Sequence, residues 1–170
     1  MPFFGSVIFK KTSEDEEEYQ VIDGQQRITT FNILIRTLLD INEINTFGLA
    51  PSLVQRLKDS IYNIDYDDEG NEDFYLKLIP SNADKSSFEK VMDPAIDRSK
   101  IRGLLKDTPI EKAYEFFYDY FTGDGINTCK EFCLKLTSKN NSIIFIILDS
   151  RDDEQKIFDS VNNNRKGSAT

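Results

Sequence analysis

The residues of this chain best suited to chemistry lie together in VIDGQQRITT, Val21 to Thr30. A short strand pattern runs into Asp23 and Gly24. The helical pattern that follows puts Gln25, Gln26 and Arg27 in its first turn. The first N–H groups of a helix have no partner within it and carry about half a positive charge, which favours anions and phosphates above all. Arg27 adds a planar donor fork matched to phosphate oxygens. Asp23 is suited to hold Mg²⁺ or a water, and the two glutamines to orient a nucleophilic water or read a base edge. A plainer reading stands beside this one: Asp23 caps the helix, Gly24 relieves the turn and Arg27 pairs with an acidic loop. The spacing lacks GxxxxGK[ST], so the turn is not a Walker A loop.

Composition narrows the chemistry further. The chain has no histidine, which removes Ser-His-Asp and Cys-His triads, HNH-type nuclease chemistry and the HExxH zinc site together. Its two cysteines, Cys129 and Cys133, stand four apart on one helix face beside Phe132 and Leu136. That is not CxxC spacing, and it predicts buried, reduced thiols rather than structural zinc or sulfiredoxin-like redox chemistry. With 21 basic against 30 acidic residues the net charge is -9, so the overall field repels DNA and anionic lipid. DNA contact would need a local cluster such as Arg27 with Lys10 and Lys11, or another domain. The acid-rich runs at Glu14 to Glu18 and Asp65 to Asp73 read as solvated loops, not as a carboxylate metal nuclease. No stretch has the length and apolarity of a membrane span, and MPFFGSVIFKK lacks the form of a signal peptide. A cytoplasmic protein is predicted.

The elements that must position the motif follow from hydrophobic spacing. Phe3 to Phe9 reads as a strand, KKTSEDEEE (Lys10 to Glu18) as a loop and Tyr19 to Ile22 as a second strand, so a hairpin is predicted. The helix after Gly24 places Ile28, Phe31, Leu34, Ile35, Leu38 and Leu39 at helical spacing, with Asp23 and Gln26 forming a capping-box-like start. A second helix is predicted from Pro51 to about Asn63, and a strand from Phe74 to Pro80. Shorter helices are predicted over Lys85 to Met92, Pro109 to Phe121 and Asn127 to Thr137. Ser142 to Leu148 is β-branched and continuously apolar, which predicts a buried strand. A last helix starts near Asp153 and carries Ile157, Phe158 and Val161. Six aromatics, Tyr114, Phe116, Phe117, Tyr118, Tyr120 and Phe121, exceed one helix face, so some must meet another lobe or a partner; a homodimer is one such arrangement. The class is α+β, with a helical lobe between two pieces of one sheet.

VIDGQQRITTF closely resembles the DGQQR signature of the GmrSD-type restriction endonuclease N-terminal domain family, within the ParB/sulfiredoxin-like superfamily. FFGSVIF resembles the family's Y-F-L-G-S-I-V strand, and FYLKLIPSNADKSSFEKVM its L-x-P-x-x-D-x-x-x-F stretch. EKAYEFFYDYF is similar to the A-Y-x-F-F helix, and IIFIILDSRDDEQKIFDSVNNNRKG to the closing strand, helix and F-x-x-x-N-x-x-G segment, where Phe158 and Asn162 match. The family's upstream I-P-x-Y-Q-R-x-Y-W segment has no counterpart here. NNNRKG stands where N-x-R-G is usual, so Asn162, Arg165 and Gly167 align loosely.

The resemblance implies a small ParB/sulfiredoxin-like mixed sheet with a helical lobe, in a single, incomplete domain over residues 1–170. Hairpin and motif helix would occupy residues 1–40, the mainly helical lobe 41–140, and the closing strand and helix 141–170. It implies a nucleotide-binding, NTP-hydrolysing domain of a bacterial modification-dependent restriction or anti-phage system. Asp23, Gln25, Gln26 and Arg27 would be catalytic, Gly24, Arg27, Thr29 and Asn162 would bind nucleotide, and Asp23 would be the site of Mg²⁺. DNA would be met only through other domains or a partner nuclease. The alternative is a non-catalytic module that binds nucleotide, modified DNA or a partner nuclease.

Overall fold

The computed structural model of the protein describes residues 5–13, 17–45, 48–81, 83–123, 126–136, 143–149 and 151–166. Its elements run β1 (Gly5–Lys11), β2 (Tyr19–Asp23), α1 (Gln25–Asn45), α2 (Pro51–Ile61), β3 (Tyr62–Tyr66), β4 (Glu72–Leu76), α3 (Lys85–Met92), α4 (Ile101–Leu104), α5 (Pro109–Thr122), α6 (Ile126–Leu136), β5 (Ile143–Leu148) and α7 (Glu154–Lys166). The chain divides into two compact units, one of Met1–Ile28 with Ser142–Thr170, the other Thr29–Asn141. The architecture is α+β.

The first unit is a three-stranded mixed sheet in the order β2-β1-β5. β1 and β2 form the antiparallel hairpin expected from the sequence, with a register shift between Ile8 and Phe9. β1 and β5 pair in parallel, Val7 beside Phe145 and Phe9 beside Ile147. Lys10 and Lys11 belong to β1 rather than to the acidic loop, and Lys10 Nζ pairs with Glu154 Oε1 at 2.6 Å. Val7 and Ile8 are buried, as is Leu148 at the end of β5. The rest of β5 corrects the expectation of a buried strand, since Ile144, Phe145 and Ile147 are exposed. Continuous apolarity signals burial only when both faces and both edges are covered. Among the described residues β5 has a strand neighbour on one side.

The second unit packs the rest of α1 with α2 to α6 around a core including Ile33, Leu38, Leu57, Ile61, Tyr62, Phe88, Met92 and Tyr114. α2 ends two residues earlier than the sequence suggests. Tyr62 is already extended, its N–H capping Lys58 O, and the chain goes straight into β3. β3 and β4 pair antiparallel, Tyr62 opposite Leu76 and Tyr66 opposite Glu72. The expected acidic loop is therefore only the turn around Asp67–Gly70, where Asp67 Oδ1 accepts from the N–H groups of Glu69 and Asn71 at 2.9 and 2.7 Å. Five of the helices lie close to where the spacing puts them: α1, α3, α5, α6 and α7. Of the α5 aromatics, Tyr114 and Phe121 are buried, Phe117 and Tyr118 half-buried, and Phe116 and Tyr120 exposed. Cys129 and Cys133 are free, buried thiols; the hydrogen bond between them, together with burial, pushes Cys133 up.

One charged cluster sits inside this core. Asp40, fully buried, accepts at Oδ2 from Arg98 Nη2 at 2.6 Å and from the Tyr114 hydroxyl at 2.8 Å, and at Oδ1 from Arg36. Arg36 also donates to the Tyr62 hydroxyl at 3.3 Å, and that hydroxyl donates to the Met92 carbonyl. Arg98 reaches the carbonyls of Val91 and Asp93 at 2.8 and 2.9 Å. Burial pulls Arg36 down, but Asp40 and Tyr62 outweigh it and the guanidinium stays above its ordinary value. Among the described residues, Arg36 Nε and Arg98 Nε are buried without a hydrogen-bond partner. Removing the carboxylate strands two buried cations, so Asp40→Asn is expected to cost about 3–5 kcal/mol in urea unfolding.

A second buried carboxylate locks α3 to α5. Thr108 and Glu111 form a reciprocal capping box, and Lys90 Nζ donates to Glu111 Oε1 at 2.8 Å. Burial alone would raise Glu111, but Lys90 and Thr108 hold it down at about 2. A depressed carboxylate contributes in full above its unfolded pKa and loses that contribution as pH falls through the folded one. Stability from Glu111 is thus expected to fade between about pH 4.5 and 2. Glu111→Gln should lower stability by about 1–3 kcal/mol at pH 7 and flatten the acid limb over that window, measured by urea unfolding at stepped pH.

Candidate functional site at the start of α1

The turn from β2 into α1 is built on two glycines. Gly24 has φ +91°, a conformation that L side chains rarely adopt. A Cβ there would lie 3.1 Å from the Ser6 carbonyl oxygen and 3.2 Å from Val7 Cα, so a side chain would wedge the helix start away from β1. The first bond of α1 runs from the Ile28 N–H to the Gly24 carbonyl at 3.0 Å. Gly24 therefore takes the cap position that the sequence pattern gave to Asp23, which stands one residue earlier as the last residue of β2.

From there Asp23 turns to the helix surface and accepts from Arg27 Nη2 at 3.0 Å, an i,i+4 pair with both side chains part-exposed. Arg27 is thus fixed by its own motif. The guanidinium also lies against Gly5, where φ is +103° and a Cβ would come within 2.6 Å of Arg27 Nη1. Gly5 has no side chain that would mark it as a site residue. Its only sequence signal is its place in FFGSVIF, since nothing local says that a guanidinium will lie over it. Gln25 donates from Nε2 to the Val21 carbonyl at 3.3 Å and is otherwise exposed. Gln26 is exposed and Thr29 half-buried.

The structure therefore brings Asp23, Gly24, Gln25, Gln26 and Arg27 into one turn and adds Gly5 to them. Thr29 follows on α1 as the first residue of the second unit. Asn162 is on α7, its side chain outside the described residues; Phe158, earlier on that helix, is exposed. Lys10 is spent on Glu154, not gathered with Arg27. Among the described residues no three histidine, cysteine or acidic side chains stand together as a metal cluster, and no helix is long and apolar enough to cross a membrane. Asp23, with Oδ2 on Arg27, can offer a cation one carboxylate contact.

The family model of the GmrSD restriction endonuclease N-terminal domain matches residues 2–167. The chain belongs to this family. No curated protein matches it. The match covers both pieces of the first unit and the whole of the second, so this GmrSD-family domain carries the DGQQR turn within the fold the family model spans.

Two effects on this GmrSD-family turn can be separated by experiment. Gly5→Ala carries backbone strain and a clash with Arg27, whereas in an Arg27→Ala background only the strain remains. Gly5→Ala is expected to cost about 1–3 kcal/mol in the wild-type background and measurably less in Arg27→Ala, a coupling read from a double-mutant cycle in urea.

Proposed function

We propose that this domain binds a nucleoside triphosphate at the Asp23–Arg27 turn and hydrolyses it, as the regulatory part of a bacterial modification-dependent restriction or anti-phage system in the cytoplasm. The observation that carries this reading is the placement of Arg27: a part-exposed guanidinium held in position by Asp23 and Gly5, on the first turn of a long helix. A donor fork fixed before binding loses little freedom when phosphate arrives. The start of a long helix adds partial positive charge, the sign that favours phosphate.

Within this reading Arg27 and Gly24 line the phosphate, and the family resemblance adds Thr29 and Asn162 as nucleotide-binding residues. Gln25 and Gln26, both exposed, orient the attacking water. Asp23 would hold Mg²⁺, which supplies charge neutralisation on the phosphates. DNA cutting falls to a separate nuclease domain or partner, since this chain has no histidine for an HNH centre.

A second reading, binding without turnover, is favoured by one feature. Asp23 and Arg27 are already engaged with each other, so the carboxylate assigned to metal or water is also the anchor of the phosphate-binding arginine. The domain would then sense nucleotide and relay its presence.

Thermal unfolding with ATP, GTP, CTP and UTP plus Mg²⁺ tests both. One nucleotide is expected to raise the midpoint by about 5 °C at saturation, with the shift lost in Arg27→Ala. A folded protein that no nucleotide stabilises would remove the reading. Phosphate release by wild type, lost in Gln25→Ala/Gln26→Ala with the thermal shift retained, would select hydrolysis; a shift without release would select sensing.

A further inference from the structure

We propose that β5 pairs edge to edge with β5 of a second copy of this chain, antiparallel about a two-fold axis at Phe145, joining the two three-stranded sheets into one of six strands. The hydrogen-bonding pattern comes first. Among the described strands β5 is bonded to β1 alone, so its other edge presents backbone N–H and C=O groups that take a strand as partner.

The side chains leave that edge open from both sides. Ile144 on one face is 53% exposed, and Phe145 and Ile147 on the other are 55% and 62% exposed. Phe9 extends the second face, its ring centroid 5.8 Å from that of Phe145. Edge strands that stay single are guarded by charges, proline or bulges. Ile143–Leu148 has no charge and no proline, and its pairing with β1 runs in continuous register. The opposite edge of the sheet, β2, differs: Tyr19–Asp23 includes Gln20 and Asp23 and follows the acidic Glu17 and Glu18.

The sequence of β5 says which strand fits. Ile143 to Ile147 reads IIFII, the same in both directions. An antiparallel pairing centred on Phe145 sets it opposite its own copy, Ile144 opposite Ile146 and Ile143 opposite Ile147. Every cross-strand pair is apolar, with an aromatic pair on the axis. Such a contact is isologous and closes as a dimer. For a chain of net charge -9, an uncharged edge is also where two copies meet with least repulsion.

Sedimentation equilibrium of the whole chain should give twice its 19.6 kDa mass. Phe145→Lys and Ile147→Lys, each at an exposed position, should return it to monomer with the urea midpoint of the isolated chain unchanged. Phe145→Cys should cross-link under mild oxidation, because residues facing each other on a two-fold axis of paired strands lie within disulfide range; wild type, with Cys129 and Cys133 buried, should not. A wild-type monomer would overturn the proposal and leave the edge to a strand from another protein. A dimer that survives both lysines, or one that Phe145→Cys fails to cross-link, would overturn it in favour of another face.

Discussion

The close approach of α1 to β1 at Gly24 is the constraint on which the first unit depends. Two backbone segments meet there so closely that a Cβ would crowd Ser6 and Val7, and the turn needs a positive φ that L side chains rarely adopt. Because the helix starts so near the strand, Arg27 one turn later falls beside Gly5 at the beginning of β1. Asp23, left outside the helix, is then in place to hold it. The motif is thus one mechanical object. Its two glycines set where the charged pair stands, and the pair fills the space that the glycines leave.

The second unit is organised on different lines. Asp40 gathers donors from α1, α5 and the segment after α3, so helices distant in sequence are keyed to one carboxylate. Burying such a group is costly unless it is well hydrogen-bonded; both oxygens of Asp40 accept bonds, while among the described residues two guanidinium Nε atoms go without. Directional bonds of this kind fix which helix packs where more narrowly than apolar contact would. The capping box at Thr108, tied by Glu111 to Lys90, repeats the device on a smaller scale.

How much of this could be read from the residues differs by element. Helices α1, α3, α5, α6 and α7 were legible because their apolar positions recur at helical spacing. The hairpin of β1 and β2 was legible from its loop composition. β3 was not: no glycine or proline separates Ile61 from Tyr62, so YNIDY, although it alternates, divides between the end of the helical pattern and the start of the acidic run. β5 was found as a strand but misread as buried, because composition reports apolarity and not what covers it. At the candidate site the pattern of DGQQR was enough to place its five residues in one strand-to-helix turn. The shift of the cap from Asp23 to Gly24 and the part played by Gly5 depend on torsions and on a contact between residues 22 positions apart, which no local pattern encodes. Asp40 and Arg36 stand four apart on α1, a spacing usual for solvent-facing pairs, so their burial was invisible as well.

The parallel pairing of β1 with β5 has a bearing on how the chain acquires its shape. The strand that completes the first sheet follows the whole of Thr29–Asn141, so during synthesis the hairpin emerges long before its third strand exists. Closing so long a loop as disordered chain is entropically expensive, and it becomes cheap once the intervening helices have collapsed and shortened the distance between its ends. By this loop-closure argument, pairing of β5 with β1 costs least after the second unit has condensed. Until then Val7 and Ile8 stand on an incomplete sheet, and the turn carrying Asp23 and Arg27 has only half of its scaffold.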